Sequence, residues 1–251
     1  MQISYSEYRA DADRSIKIKL LLPDDGEITG YVLALHGFVG SMESWAITAL
    51  AERLSLQKTA VIAFNYAGHG SDTQDELFGL QRCLADYRHM ISYAQTRFPG
   101  AVWRGIFATS FGGYLTLCSL QQIPDSVRIV LRAPAVNMQE VFARITEQDG
   151  GGMAAYAENG AVVLGDARKL RVPYSFYQEL CAQDVFQKDH KREMLLIHGD
   201  CDDIVLPEDT AVFCARNPKI RRQVICGADH LFLHPGELTQ VVDAAVPWLL
   251  G

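Results

Sequence analysis

The sequence predicts an α/β fold with a mostly parallel central sheet and helices on both faces. Two observations support this prediction. Short apolar runs typical of buried parallel strands alternate along the chain with longer segments in which apolar residues recur at helical spacing. The chain also has 251 residues, of which 49% are hydrophobic, and this is enough to build the core of one large domain.

The elements follow one another in a regular order. Strands, each a short apolar or alternating run, are predicted over 16–22, 31–35, 61–64, 102–107, 127–131, 194–197 and 223–226. Helices, recognised by apolar residues at helical spacing, are predicted over 47–54, 80–98, 114–120 and 238–249. Pro99 and Gly100 end the second of these helices. The repeated strand–helix order favours parallel strand pairing.

Residues 135–190 interrupt the alternation. Their periodicity is weak, and three consecutive glycines at 150–152 are typical of a hinge. Because structureless loops of this length are uncommon in compact domains, we predict a small cap inserted into a single domain that spans 1–251. Ligands of such folds bind beyond the carboxyl ends of the strands, where this insertion would cover them. Its apolar residues fit a lid and a homodimer interface equally well.

Charge and composition exclude several classes of function. The net charge is −7 with no basic run, which argues against a nucleic-acid or anionic-membrane surface. The first fourteen residues are polar and acidic, unlike a signal peptide, and no apolar run approaches the ~20 residues that span a bilayer. The six cysteines form no C-x-x-C pair. We therefore expect reduced thiols and a cytoplasmic protein that binds no membrane.

The stretch from Ala108 to Gly112 carries the strongest chemical signal. It places Ser110 between small residues, at the point where a predicted strand turns into a predicted helix. Such a tight turn lifts the serine hydroxyl clear of the sheet and requires small neighbours, as in the G-x-S-x-G nucleophile elbow. Ala108 replaces the first glycine of that pattern and is small enough to fit. The structural alternative is a serine that only caps the helix.

A nucleophilic serine needs a base and an acid that orients the base, and both follow predicted strands. Asp202 comes after the strand at 194–197, and His230 comes after the strand at 223–226. Asp200 and Asp203 are competing acids. Two further histidines have non-catalytic interpretations. His198 ends a strand and is expected to be a structural residue near the site, whereas His234 precedes a proline and is expected to be a surface residue.

These motifs resemble those of the α/β-hydrolase superfamily, and the resemblance covers nearly the whole chain. The matching segments are His36-Gly37-Phe38 for the oxyanion loop, Gly68-His69-Gly70-Ser71 for the G-H-G-x-S turn (one residue short), Ser110 for the nucleophile, Gly199 to Val205 for the acid motif and His230 for the base. The order Ser, Asp, His along the chain is the order of this superfamily. Small cinnamoyl/feruloyl-type esterases and the serine aminopeptidase-like (S33) group are the most similar members.

The resemblance implies a serine esterase with a Ser110–His230–Asp202 triad and an acyl-enzyme intermediate. The backbone N–H groups of Phe38 and Phe111 would form the oxyanion hole. Residues expected to contact substrate are His36, Gly37, Tyr174 and Phe176. The expected substrates are esters of small to medium or aromatic acyl groups. No cofactor is expected. No metal is expected either, because the pair His230 and His234 lacks the Glu of a metal-binding H-E-x-x-H helix.

Other functions remain open at this stage. A peptidase of the serine aminopeptidase type would need an acid that pairs with a substrate ammonium group, and Glu140, Glu147 and Glu158 are the candidates in the insertion. A carbon–carbon bond hydrolase would use the same triad. A ligand-binding homologue without turnover is the non-enzymatic alternative, since the fold alone does not determine function.

Overall fold

The computed structural model describes residues 1–72, 75–165 and 168–251, and within them eight strands form one mostly parallel sheet. The strands of this sheet are β1 (Gln2–Arg9), β2 (Ser15–Leu22), β3 (Gly30–Leu35), β4 (Thr59–Phe64), β5 (Val102–Thr109), β6 (Arg128–Arg132), β9 (Met194–Gly199) and β10 (Ile220–Ile225). The short strands β7 (Ala161–Leu164) and β8 (Leu170–Pro173) form a separate two-stranded sheet. The helices are α1 (Trp45–Ser55), α2 (Leu80–Arg97), α3 (Phe111–Cys118), α4 (Met138–Asp149), α5 (Met153–Asn159), α6 (Tyr174–Ala182), α7 (Pro207–Arg216) and α8 (Glu237–Leu250). The predicted fold class is confirmed.

The strand order places the carboxyl ends of the parallel strands β5, β6, β9 and β10 side by side. The sheet runs β1-β2-β4-β3-β5-β6-β9-β10, with β1, β2 and β4 paired antiparallel and the remaining neighbours parallel. Parallel strands end at the same edge of a sheet, so the loops that follow β5, β9 and β10 meet there. These are the loops that carry the serine, the acid and the base of the predicted site.

Both faces of the central strands are buried, which explains their nearly continuous apolar runs. On β3, Leu33 and Leu35 join the hydrophobic cluster that contains α2 and α3, while Val32 and Ala34 join the cluster that contains α1 and α8. The alternation follows from the two-residue period of a strand. None of the helices within the described residues has the length and apolar character that a membrane span needs.

The segment between β6 and β9 contains α4, α5, the β7–β8 hairpin and α6. It is joined to α2 by a contact that the sequence did not suggest. A carboxylate oxygen of Glu179 on α6 accepts a hydrogen bond from the Leu80 amide at 2.7 Å, and so caps the first turn of α2. The boundaries of the cap at 135–190, its action as a lid and its use as a dimer interface stay predictions.

Outside the segment between β6 and β9, the structure contains one strand and one α-helix that the sequence patterns did not predict. Strand β1 is mostly exposed and polar, and it forms because β2 supplies its hydrogen-bond partners. Helix α7 buries only Thr210 and Phe213 in its described length, so its apolar period is weak. Two elements begin earlier than predicted. Helix α3 begins at Phe111, directly after the serine, and not at 114. Strand β10 begins at Ile220 and not at 223, and its start was missed because this edge strand has few buried residues to mark it.

Candidate active site

Ser110 lies at the sharp turn between β5 and α3. Its backbone has φ 50° and ψ −114°, a conformation that side-chain-bearing residues rarely adopt. The Ser110 amide donates to the Arg132 carbonyl at 3.0 Å, and the Ser110 carbonyl accepts from the Ala135 amide at 3.1 Å. A methyl group on Gly112 would lie 2.7 Å from the His36 carbonyl oxygen, so only glycine permits this close approach of α3 to the end of β3. Packing and main-chain bonds therefore hold the strained turn.

The structure brings Ser110, His230 and Asp202 into one hydrogen-bonded chain. Ser110 Oγ lies 3.2 Å from His230 Nε2, and His230 Nδ1 lies 2.7 Å from Asp202 Oδ2. All three residues are largely buried. Because the carboxylate can only accept, this network assigns the proton of a neutral imidazole to Nδ1 and leaves Nε2 free to accept the serine proton. The arrangement suits a nucleophile, its base and an orienting acid.

The Asp202 carboxylate is held by four hydrogen bonds. Its Oδ1 accepts from the Ile204 amide at 3.0 Å and the Val205 amide at 2.8 Å, while Oδ2 faces both His230 and His198 Nε2, the latter at 2.8 Å. Burial by itself raises the pKa of Asp202, but the hydrogen bonds from His198, His230 and Val205 outweigh it and hold the pKa well below the usual range of a carboxyl. Asp202 is therefore ionised, and His198, expected only near the site, contacts the acid directly.

The competing acids and the further histidine lie in different surroundings. Asp200 is exposed and accepts a hydrogen bond from the Gly227 amide at 2.6 Å, and Asp203 is exposed as well. His234 is exposed at the rim of the site, where its amide donates to Glu237 at 3.0 Å. The geometry thus favours Asp202 among the candidate acids. Within the described residues, no group of three or more His, Cys, Asp and Glu side chains is arranged to hold a metal ion.

The loop after β3 passes beside the serine. A methyl group on Gly37 would lie 3.3 Å from Ser110 Cβ, which leaves little room for any side chain there. His36 Nδ1 donates to the Gly37 carbonyl at 2.8 Å and so shapes the turn. Burial, and secondly the neighbouring His69, lowers the pKa of His36 to about 3, so this ring is neutral at neutral pH and supplies no charge to the site. Phe38 follows in the same loop and lines the cleft.

Ser110 and His230 open onto a cleft of about 710 Å³. One wall is apolar and comes from the segment between β6 and β9, through Met138, Val141 and Ile145 of α4 and Leu164 of β7. The mouth is also apolar in part, and it is bordered by Trp45, Leu231 and Leu233. Charged side chains on other parts of the lining are Glu43, Arg132, Asp149 and Arg168. A cleft of this size and lining suits a small organic molecule.

Tyr174 and Phe176, which were predicted to contact substrate, do not line this cleft. Phe176 is fully buried, with its ring stacked on Phe38 at 6.0 Å and perpendicular to Phe142 at 5.3 Å between centroids. Tyr174 packs edge-on against Tyr156 at 5.0 Å. Helix α6 turns both rings into an aromatic cluster beneath the cleft wall. In this structure both rings pack against other aromatic side chains and away from the cleft lining, and their contact with substrate stays a prediction.

Arg132 is a site residue that the sequence reading did not single out. It ends β6, is only 5% exposed, and lines the cleft. Its Nη2 donates to the Leu231 carbonyl at 2.7 Å and to the His230 carbonyl at 3.4 Å. Its guanidinium carbon also lies 4.5 Å from the centroid of the Phe232 ring. The available signal was a charged residue that directly follows a run of three apolar residues at a strand end.

Backbone strain is concentrated around the cleft. Among the described residues, five that are not glycine have positive φ, namely Val39, Lys58, Ser110, Ala133 and Phe232. All except Lys58 lie in the loop after β3, at the turn between β5 and α3, at the end of β6 or in the loop that carries His230. Such conformations cost free energy and persist only where the surrounding structure enforces them, so they are typical of functional sites.

Comparison with protein families gives a match over most of the chain. The sequence model of the family described as serine aminopeptidase, S33, matches residues 26–190. No curated protein sequence matches the chain significantly.

Solved structures with a similar fold cover nearly the whole chain. Est1E from Butyrivibrio proteoclasticus is 20% identical with a TM-score of 0.76, over 98% of this chain and 97% of its own. Another Est1E structure holds ferulic acid, and it is 22% identical with a TM-score of 0.75 over 98% of both chains. Alpha/beta hydrolase domain-containing protein 10 from mouse is 19% identical with a TM-score of 0.74, over 96% of both chains. At these identities the likeness establishes the fold.

Proposed function

The chain belongs to the serine aminopeptidase (S33) family of α/β-hydrolases, and from this premise we propose that it cleaves carboxylic esters through an acyl-enzyme. The observation that carries the proposal is the hydrogen-bonded chain from Ser110 through His230 to Asp202, which opens onto a cleft with an apolar wall. The catalytic roles of these residues are part of the proposal.

In the first half of the reaction, Ser110 Oγ attacks the ester carbonyl carbon. His230 Nε2, 3.2 Å from Oγ, takes the serine proton as the new bond forms. The charge of Asp202 stabilises the resulting imidazolium through Nδ1 and keeps the ring in the orientation needed for transfer. His230 then gives the proton to the departing alkoxide, and the acyl group stays bound to Ser110.

The oxyanion that forms during the attack needs hydrogen-bond donors already in place. Phe111 is the first residue of α3, so its amide has no acceptor within the helix, and we propose it as the first donor. The Phe38 amide lies in the loop whose Gly37 touches Ser110, and it is the second proposed donor. Removing one such donor typically lowers turnover about 10²–10³-fold. A side-chain change at Phe38, which lines the cleft, should affect binding more than the chemical step.

In the second half, water replaces the alcohol. His230 removes a proton from the water as it attacks the acyl carbon, and the same amide donors stabilise the second oxyanion. When this intermediate collapses, the acid leaves and Ser110 regains its proton from His230. The proposed cycle consumes one water and needs no cofactor.

The apolar wall supports a neutral acyl group of small to medium or aromatic type. Met138 and Val141 are buried, and Leu164 completes the wall from β7. An acyl chain placed there would bury apolar surface, and each Å² removed from water contributes about 25 cal/mol to the free energy of binding. Est1E, which resembles this chain in fold, was solved with ferulic acid, and an aromatic acyl group is therefore included in the proposed range.

Because the family is described as serine aminopeptidase, aminopeptidase activity is the second candidate function. The acids that the sequence offered for a substrate ammonium group, Glu140, Glu147 and Glu158, do not line the cleft. Glu43 does line it, but its carboxylate is paired with Lys19 Nζ at 2.7 Å. Asp149 is the exposed carboxylate on the cleft lining that supports this second candidate. Aminoacyl p-nitroanilides would be cleaved by such an enzyme and blocked by N-acetylation.

The first experiment measures hydrolysis of p-nitrophenyl esters from acetate to palmitate, together with methyl ferulate. We expect the wild-type protein to cleave a short, medium or aromatic ester, and Ser110→Ala to lose at least about 10³-fold in kcat. Ser119→Ala is the matched control, because Ser119 is also buried and lies at the opposite end of α3. It should keep wild-type activity.

A covalent probe provides an independent check. An alkyl fluorophosphonate should add once to the wild-type protein, and mass spectrometry should locate the adduct on Ser110. Absence of ester hydrolysis together with absence of labelling would contradict the serine hydrolase proposal. Labelling of Ser110 without hydrolysis of any ester would contradict only the ester specificity and would direct the search to aminoacyl amides.

A further inference from the structure

A buried cation lies beneath the loop that carries the proposed base. Arg132 forms no salt bridge with any carboxylate among the described residues, although the charges of Asp202 and Asp229 attract it. Burial lowers the pKa of Arg132 to about 10, and those two carboxylates act in the opposite direction. The guanidinium is still charged at neutral pH. A buried charge of this kind costs free energy, so its retention calls for a physical explanation.

The first part of the explanation is mechanical. Arg132 holds the carbonyl side of the base loop, through Leu231 at 2.7 Å and His230 at 3.4 Å. Asp229 holds the amide side, because its Oδ1 accepts from Leu231 at 2.8 Å and from Phe232 at 2.6 Å. The Phe232 ring, in a residue with φ 57°, lies against the guanidinium. The loop is thus clamped from both sides just where His230 must stay in place.

The second part is electrostatic. A fixed positive charge near the His230–Asp202 pair favours the ionised carboxylate and disfavours a positive imidazolium. The base must be unprotonated to accept the serine proton. We propose that Arg132 is a positioning residue that clamps the base loop and keeps His230 in the neutral, proton-accepting form at neutral pH. This inference rests on the proposed catalytic role of His230.

Other ionisable and polar side chains also face His230, and they come from several elements. Ser110 faces it from the elbow, Asp202 from the loop after β9, and Asp229 from its own loop, while His198 acts through Asp202. Further ionisable side chains line the same cleft, namely His36, Glu43, Asp149, Arg168 and His234. The test below changes only Arg132, so these groups form a constant background.

The test compares Arg132→Met, which removes the charge but keeps a long side chain, with Arg132→Lys, which keeps the charge. The readout is the acidic limb of the pH profile of kcat/KM on p-nitrophenyl acetate. We expect the apparent pKa of this limb to rise by about one pH unit in Arg132→Met and to change by less than about 0.3 in Arg132→Lys. Arg128→Met is the matched control, since Arg128 is exposed at the other end of β6. It should leave the profile unchanged.

A second measurement does not need turnover. The imidazole signals of His230 can be titrated by NMR in the Ser110→Ala background, with and without Arg132→Met, and the same rise should appear there. An unchanged His230 titration, or an equal rise with Met and Lys, would overturn the inference. If the wild-type protein cleaves no ester, the proposed function fails, while the titration still decides the effect of Arg132 on His230. If Arg132→Met does not fold, Arg132→Lys must still show the wild-type profile.

Discussion

At the scale of single residues, Ser110 combines a chemical requirement with a conformational cost. Its φ of 50° lies in a region that glycine adopts without strain and other residues do not, yet the proposed reaction needs a hydroxyl there. We expect Ser110→Gly to be more stable than Ser110→Ala by about 1 kcal/mol, because glycine relieves the strain that alanine keeps. Urea unfolding of the two variants measures the difference. Equal stabilities would show that the turn is not strained.

The role of Asp202 can be separated from that of its neighbours. Asp202→Asn should lower kcat about 10³–10⁴-fold, because an amide can hold the imidazole in the wrong tautomer. Asp203→Asn is the control, since Asp203 is exposed and was the alternative acid. Kinetics with a p-nitrophenyl ester compare the two variants. Full activity in Asp202→Asn, or a loss in Asp203→Asn alone, would reverse the assignment.

The ionisation of Asp202 also links stability to pH. Hydrogen bonds hold its folded-state pKa below the unfolded value of about 3.9, so the unfolded chain takes up a proton first as the pH falls. The stabilisation from this group is therefore complete above about pH 5 and is lost progressively below about pH 4. We expect the unfolding free energy of Asp202→Asn to fall less than that of the wild-type protein between pH 5 and pH 3. Urea unfolding at both pH values measures this, and parallel losses would contradict it.

At the scale of elements, α4 forms much of the apolar wall of the cleft, where we propose that the acyl group binds. Val141 is buried and lines the cleft, so Val141→Ala should enlarge the cleft beside α4. We expect the ratio of kcat/KM for p-nitrophenyl octanoate to that for the acetate to rise by roughly tenfold. Val172→Ala on β8 is the matched control, because Val172 is equally buried but does not line the cleft. An unchanged ratio in Val141→Ala would place the acyl group elsewhere.

At the scale of the whole molecule, a buried ionic cluster joins the start of the sheet to α2. Arg14 precedes β2, and its guanidinium binds Asp86 of α2 and Asp72 beyond the Gly68–Gly70 turn. Asp86 also accepts a hydrogen bond from the Ala67 amide at 2.9 Å. These contacts connect three distant parts of the chain through buried side chains. Buried clusters of this kind are strongly destabilised when one partner is removed.

Asp86→Ala tests the importance of this cluster. Removing the carboxylate withdraws a buried counter-charge from Arg14, and we expect the unfolding free energy to fall by about 3–5 kcal/mol. Asp243→Ala is the control, because it breaks the exposed ion pair with Arg53 and should change stability only slightly. Thermal and urea unfolding provide the comparison. Similar losses in both variants would show that burial does not set the strength of these pairs.

Local patterns in the sequence were sufficient for the fold class and for the order of the candidate residues. Apolar runs and helical spacing identify strands and helices because burial imposes a period on each element. Small residues around Ser110 indicate a tight turn, and Asp202 and His230 each follow a strand. Once the strands are parallel, their ends must meet, and the hydrogen-bonded chain among these three residues agrees with that inference.

Tertiary packing alone decided which side chains share a surface. The sequence could not show that Arg132 lies under the base loop, that His198 binds Asp202, or that Phe176 turns into the core and not toward the cleft. It also could not show β1, whose residues are mostly exposed, or α7, which has only two buried residues, because neither element carries a strong apolar period. The physical reason is common to all of these cases. A period in the sequence reports burial along one element, whereas contacts between elements depend on how those elements pack in three dimensions.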